Sequence, residues 1–194
     1  MEPLTNQEKI KFWIRVYLGT INVQKLKLAV INRAYRDFNR TMHGIGKVQN
    51  NNTKKLLSKL LLRIIDEITL NDFDQKSFDL WHKSQCDILK AEFYNLLEYT
   101  ISYGQAQKWI NMTLKYLFVI GSDIINGIDR NYQYFHIPID NIIQDKLTKY
   151  KIERIKLKWS RIDKYNVYFN YQKQVRETFI GQIPIEVEFK LFNK

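Results

Sequence analysis

The stretch Gln105-Ala106-Gln107-Lys108-Trp109-Ile110-Asn111-Met112-Thr113-Leu114-Lys115-Tyr116-Leu117-Phe118-Val119-Ile120 decides the fold class. Trp109, Ile110, Met112, Leu114, Leu117 and Phe118 recur at a helical period and cover most of the circumference, so this helix is expected to be buried on most sides. Its neighbours carry the same period. Upstream, Ile10, Trp13, Ile14 and Tyr17 predict a helix over residues 7–19. Asn22 is placed to cap a second helix, in which Leu26, Ala29, Val30, Arg33 and Ala34 continue the period toward His43-Gly44-Ile45-Gly46. Residues 47–53 read as a loop, and residues 54–69 as the most hydrophobic helix, through Leu56, Leu57, Leu60, Leu61, Ile64 and Ile68. Asn71-Asp72-Phe73-Asp74 breaks it, and residues 77–97 are helical again before a turn at 99–104.

Downstream, residues 121–137 are irregular, with Gly121, Gly127 and Asp129-Arg130-Asn131. Pro138 is expected to open a helix running to about Tyr150, because the first helical position does not need its N–H. Residues 151–159 fit a strand through Ile155, Leu157 and Trp159, or a helix through Ile152, Ile155 and Trp159. Ser160, with Asp163 three residues on, reads as the start of a helix to about Thr178, and Pro184 as the start of a last short one. The expected architecture is one compact all-α domain over residues 1–194, with about seven to nine helices.

Composition agrees with that class. Hydrophobic residues make up 45% of the chain, enough for a continuous core, and the scarcity of Gly (7) and Pro (3) disfavours turn-rich β architectures. Cys86 stands alone, which excludes an internal disulfide and a cysteine-based zinc site; no disulfide-linked partner is expected. The first residues are polar and lack the apolar centre of a signal peptide, and runs such as residues 116–121 are far too short to cross a bilayer. A cytoplasmic protein with no membrane partner is expected. His43, His82 and His136 are far apart in sequence, Gly44-Ile45-Gly46 lacks the third glycine of a phosphate loop, and no serine sits in a nucleophile elbow. Neither a metal nor an organic cofactor is expected.

Charge points to a partner. The net charge of +11 is unevenly spread: residues 1–63 carry 13 basic and 3 acidic side chains, residues 64–145 carry 6 and 12, and residues 146–180 carry 10 and 3. Two basic arms flank an acidic middle. If they meet in the fold, they form a surface that attracts phosphates and releases counterions on binding. Nucleic acid is the favoured partner, DNA in particular. A compositional bias, an anionic surface or an acidic protein partner accounts for the charge without it.

Two short segments carry candidate chemistry. Tyr103-Gly104-Gln105-Ala106-Gln107-Lys108-Trp109-Ile110-Asn111 lies at a turn-to-helix junction, and Phe135-His136-Ile137-Pro138-Ile139-Asp140 leads into a helix. Lys108 is expected in the first turn of an apolar helix, where dipole and burial both favour the neutral, nucleophilic amine. Asp140, in the first turn after Pro138, is expected to be stabilised as an anion by the same kind of dipole. A nucleophilic amine beside an ionised carboxylate suits cleavage of a glycosidic bond, one attacking and the other stabilising positive charge on the sugar. A lysine snorkelling past Trp109 and an ordinary helix-start aspartate fit the same spacing, as does a solvated polar stripe through Lys108, Asn111 and Lys115.

Gln107-Lys108, the apolar helix with Lys115, and Ile137-Pro138-Ile139-Asp140 some thirty residues later resemble the helix-hairpin-helix DNA glycosylase superfamily, in particular its archaeal 8-oxoguanine glycosylase branch. The resemblance spans residues 104–146. The glycine-rich Leu-Pro-Gly-Val-Gly type hairpin of the wider family is missing, Gly104 being the only nearby glycine. The resemblance implies a DNA glycosylase, with AP lyase activity, that flips a base out of the stack. It implies Lys108 as nucleophile, Asp140 as its assistant, and no cofactor. Stacking and base-pocket candidates are then Trp81, Trp109, Asn111, Tyr134, Phe135 and His136. Backbone contacts fall to Gln107, Lys149, Lys151, Arg154, Lys156, Lys158, Arg161 and Lys164. A non-enzymatic basic helical module that binds nucleic acid is the competing expectation.

Overall fold

The computed structural model describes residues 3–42 and 51–193, and of residues 51–54 the backbone only. Among these the chain forms eight α-helices and no strand: α1 Asn6–Leu18, α2 Val23–Asn39, α3 Asn51–Leu70, α4 Gln75–Leu97, α5 Tyr103–Ile120, α6 Asn141–Leu147, α7 Tyr165–Thr178 and α8 Pro184–Phe192. The all-α expectation holds. No described helix is long and apolar enough to cross a membrane.

Local capping chemistry places most of the helix starts. Thr5 and Glu8 form a capping box at α1, Asp74 and Ser77 one at α4, and Ser102 and Gln105 one at α5, while the Asn22 side chain accepts from Lys25 N at α2. Pro184 opens α8 as expected. Gly19 and Gly121 end α1 and α5 at φ of 78° and 81°, where a side chain would be strained.

Helix α5 is the central element. It packs most extensively on α2, and Phe38 stacks on Trp109 with ring centroids 5.4 Å apart. The buried apolar side chains form one core running from Ile14 to Leu191, with Cys86 inside it; burial pushes that thiol up. Gly104 marks a close approach. A Cβ there would lie 1.7 Å from Trp159 O, and its own N–H donates to Ile162 O. The absent side chain is what lets the 159–162 segment dock on the start of α5.

Three expectations are corrected. Pro138 does not begin a helix: residues 135–140 carry no regular structure, and α6 starts at Asn141 with Asp140 as its N-cap. Ser160 lies in a short 3-10 turn, Trp159–Arg161, and α7 begins at Tyr165 with no side-chain cap. Helix α2 ends at Asn39, and α3 begins at Asn51 inside the expected loop; residues 43–50 of those expectations lie outside the described residues. Helix α1 forms as expected but buries only Ile14, leaving Ile10, Trp13 and Tyr17 exposed, because it rests on the edge of α2 instead of inside the core.

Candidate functional site

Helices α1, α2, α5 and α8, the N-terminus of α6 and Trp159 surround a cleft of about 820 Å³, within the range of small-molecule sites. Its floor is charged. Lys108 Nζ donates to Asp140 Oδ2 at 2.7 Å, with the side chains 6% and 25% exposed. The other carboxylate oxygen, Oδ1, accepts from Ile143 N at 2.9 Å. One aspartate therefore caps α6 with one oxygen and holds the lysine with the other. The Lys108 ammonium also lies 5.8 Å from the centre of the Trp159 ring.

The geometry differs from the expected one in a way that matters. Helix α5 begins at Tyr103, so Lys108 lies in its second turn, beyond the strongest part of the helix dipole. The lysine meets a carboxylate directly and is not an isolated amine. Nor do its polar neighbours form a single stripe. At about 100° per residue, seven positions bring Lys115 almost over Lys108, whereas Gln107 and Asn111 share a different face. Lys108 and Lys115 line the cleft; Gln107 and Asn111 are fully buried.

Those buried amides explain how Asp140 reaches Lys108. Gln107 Oε1 accepts from Ile139 N at 3.3 Å and its Nε2 donates to Ile139 O at 3.2 Å. From the other side, Gln172 Oε1 accepts from Ile137 N at 3.1 Å and its Nε2 donates to Ile137 O at 2.9 Å. Each glutamine does for the irregular segment what a neighbouring strand does in a sheet. The backbone of 137–139 is satisfied without secondary structure, and Asp140 is delivered to a fixed place. Sequence reasoning put Gln107 on nucleic acid; with no exposed surface it cannot make that contact and acts by positioning.

A buried polar network continues from these amides. Rings of His82 and His136, far apart in sequence, lie 4.4 Å apart. His136 Nε2 faces Asp79 Oδ1 at 2.8 Å, an acceptor, so it carries the proton, and Nδ1 accepts from Tyr168. Tyr168 in turn accepts from Asn111 Nδ2, and Asn111 Oδ1 accepts from His82 Nε2 at 2.8 Å. Every ring nitrogen has a partner. Burial holds His82 well below its ordinary value, with the neighbouring His136 adding to this; burial also lowers His136, against the opposing pull of Asp79. Burial would push the Asp79 carboxyl up, but His136 and the paired Arg176 guanidinium outweigh it and the net shift is downward. No group of three or more His, Cys, Asp or Glu among the described residues could hold a metal ion.

The expected base-pocket residues lie elsewhere. None of Trp81, Trp109, Asn111, Tyr134, Phe135 and His136 lines the cleft. Trp81 donates to Glu67 on the side formed by α3 and α4; Trp109 donates to Ile31 O in the core; Phe135 and His136 are buried, and Tyr134 packs against the core from a 3-10 turn. Aromatic bulk in this chain mostly builds the core. The aromatic walls of the cleft are Trp13, Tyr17, Tyr116, Trp159, Phe189 and Phe192. Sequence reasoning missed them because the 3.6-residue period of α1 looks the same whether its apolar face meets a core or a cleft.

Two further charged groups line the cleft. Asp37 accepts from Arg33, Arg40 and Tyr116 at 2.7–3.2 Å. Lys115 pairs with Glu188, whose carboxyl burial pushes up while Lys115 opposes the shift. The basic residues Lys149, Lys151, Arg154, Lys156, Lys158, Arg161 and Lys164 are all exposed. Of these, Arg154 is paired with Asp145 at 2.8 Å. The first basic arm reaches the cleft through Arg33 and Arg40, whereas the 146–180 arm contributes Trp159 and none of its Lys or Arg side chains to the lining.

No family model, curated protein or solved structure matches the chain.

What the cleft can do follows from its parts. An amine and a carboxylate stand in contact at the base of an aromatic-walled cavity. They can present a nucleophile to an electrophilic carbon and a negative charge to a developing cation.

Proposed function

We propose that this protein is a DNA base-excision enzyme, a glycosylase with AP lyase activity, that takes an extruded nucleotide into the cleft over Lys108 and Asp140. The observation that carries the reading is the 2.7 Å contact between these two side chains on the floor of one cavity. The resemblance of the Gln107-Lys108 and Ile137-Pro138-Ile139-Asp140 segments to helix-hairpin-helix glycosylases supports it, as do the aromatic walls. In the cell such an enzyme would work in the cytoplasm, on DNA.

In this mechanism the target nucleotide leaves the stack, because its C1′ is out of reach inside a duplex. Asp140 Oδ2 takes a proton from Lys108 Nζ, and the freed lone pair attacks C1′. The glycosidic bond breaks, its electron pair leaves with the base, and the base takes up the proton that Asp140 received from Lys108. Once that proton has left, the Asp140 carboxylate again faces the positive charge on the sugar adduct. Opening of the sugar ring turns the C1′–N linkage into a protonated Schiff base. Loss of a C2′ proton then expels the 3′ phosphate by β-elimination. The exposed basic residues between Lys149 and Lys164 grip the DNA backbone and position it without reading sequence.

The test is borohydride trapping on a panel of damaged and abasic duplexes. Lys108→Gln should abolish trapping and strand cleavage while the protein stays folded. Asp140→Asn, which can still cap α6, should slow base release by about 10²-fold or more. A trapped adduct with the Lys108→Gln protein would place the nucleophile elsewhere. No trapping by the wild-type protein on any duplex would favour a non-enzymatic nucleic-acid-binding module, a reading for which the exposed basic residues suffice.

A further inference from the structure

Seven residues along α5 from Lys108, on nearly the same face, Lys115 makes a second ion pair in the same cleft. Its Nζ donates to Glu188 Oε1 at 2.8 Å and lies 2.7 Å from Oε2, yet Oε2 accepts no well-directed hydrogen bond among the described residues. The side chains are 9% and 3% exposed, and the ammonium lies over the rings of Phe192 and Phe189, 4.6 and 5.8 Å from their centres. A pair this buried contributes little net stability, since apolar side chains of similar size usually serve as well or better. Both side chains line the cleft, and Oε2, although ion-paired, has no well-directed hydrogen bond.

The spacing matches the mechanism. Seven helical residues rise about 10 Å, roughly a nucleobase with one contact at each end. We propose that Lys115 and Glu188 form the far end of the substrate site and read the polar edge of the extruded base, whose sugar carbon lies at Lys108. This rests on the glycosylase reading above. The ammonium donates to a ring carbonyl of the base, and the carboxylate accepts from the adjacent ring N–H. Both bonds are charge-assisted, and a base with the pattern reversed or methylated leaves Glu188 Oε2 without a well-directed hydrogen bond. A keto oxygen projects beyond its ring with two lone pairs. It therefore reaches a buried ammonium beside two phenyl rings better than the ring nitrogen of an adenine-type edge does. The chemical class is a base with a keto group beside a ring N–H.

The experiment separates this inference from its parent. Wild type, Glu188→Gln, Lys115→Met and the double variant Lys115→Met/Glu188→Leu are assayed on two kinds of duplex. One carries a preformed abasic site; the others carry a single uracil, hypoxanthine, 8-oxoguanine or 3-methyladenine. Borohydride trapping on the abasic duplex, which has no base to read, should stay within about twofold of wild type in every variant. Single-turnover release of the keto bases should fall about tenfold or more. The double variant replaces the pair by apolar side chains, so a folding defect from an orphaned charge does not confound it. Equal losses on abasic and base-bearing duplexes would overturn the inference, as would unchanged base release. Wild-type protein that traps the abasic duplex but releases only 3-methyladenine, or no base at all, would also overturn it. Wild-type protein that traps nothing removes the glycosylase reading first and this inference with it.

Discussion

Replacing Gln107 by leucine keeps the volume and removes the amide that holds Ile139. The wild-type side chain makes four hydrogen bonds, to Gly104 O, to Ile139 O, from Ile139 N and from Asn111 Nδ2. Two of these losses are mild. Gly104 O lies in the first turn of α5 and keeps its helical partner, and Asn111 Nδ2 still has Ile137 O and Tyr168. The other two are not. Ile139 N and Ile139 O have no other hydrogen bond among the described residues, and the residue is fully buried. An orphaned buried polar group costs about 1–3 kcal/mol. The wild-type bonds at 3.2 and 3.3 Å are long, which puts Gln107→Leu at about 2–4 kcal/mol in total. That is a large part of the roughly 5–15 kcal/mol typical of a domain. Gln172→Leu should cost less, about 1–3 kcal/mol, because Ile137 O keeps Asn111 and only Ile137 N is orphaned. Urea denaturation followed by circular dichroism measures both. Because Asp140 follows Ile139 directly, the Gln107 variant should also lose most of its trapping on an abasic duplex while still folded. A cost below about 1 kcal/mol for Gln107→Leu, or a larger cost for Gln172→Leu, would refute the idea that these amides hold the segment.

The remaining predictions concern pH and charge. His82 and His136 have folded values below the ordinary one, so the unfolded chain binds more protons just below about pH 6.5. The stability from keeping them neutral is present above that pH and is lost as the pH falls, by up to about 1.4 kcal/mol per unit for each histidine. Asp79 adds a further loss at lower pH, because its folded value lies below the unfolded one. Denaturation midpoints between about pH 7 and 5 should show the slope, and His82→Gln should flatten it; an unchanged slope would mean that His82 is not held neutral. Reversing Lys156, Lys158 and Arg161 to glutamate should weaken DNA binding similarly for all sequences and lower the slope of affinity against salt by about one unit for each phosphate no longer neutralised. Unchanged affinity at low salt in an anisotropy titration would reject this surface.

Much of the helical frame was legible from local rules. The side-chain cap at Asn22, Pro184 at the start of α8, and the near-unbroken apolar period of α5 each depend on residues within one or two turns. Such contacts form in any fold that contains the helix. Where the rules misled, long-range partners had won. Pro138 could begin a helix, but Gln107 and Gln172, from two other helices, hold the backbone around it in place. Ser160 could cap one, but its carbonyl is engaged by Ser102, and the close approach at Gly104 docks its segment on α5.

The site divides in the same way. Residue type and spacing singled out Lys108 and Asp140, since an amine and a carboxylate on apolar helices stand out in any sequence. That they meet, 32 positions apart, is a property of the tertiary structure. So is the division of the polar face of α5 into a buried pair, Gln107 and Asn111, and a cleft-lining pair, Lys108 and Lys115. Helical period reports which side chains share a face but not what that face meets. Trp13 and Tyr17 therefore read only as part of one helical face and stand at a cleft wall, while His82 and His136 read as unrelated and lie ring against ring. The sequence by itself determined the helices, because their hydrogen bonds and caps are local; only the packing of those helices decided which polar groups lost water, and that loss is what turns a residue into part of a site.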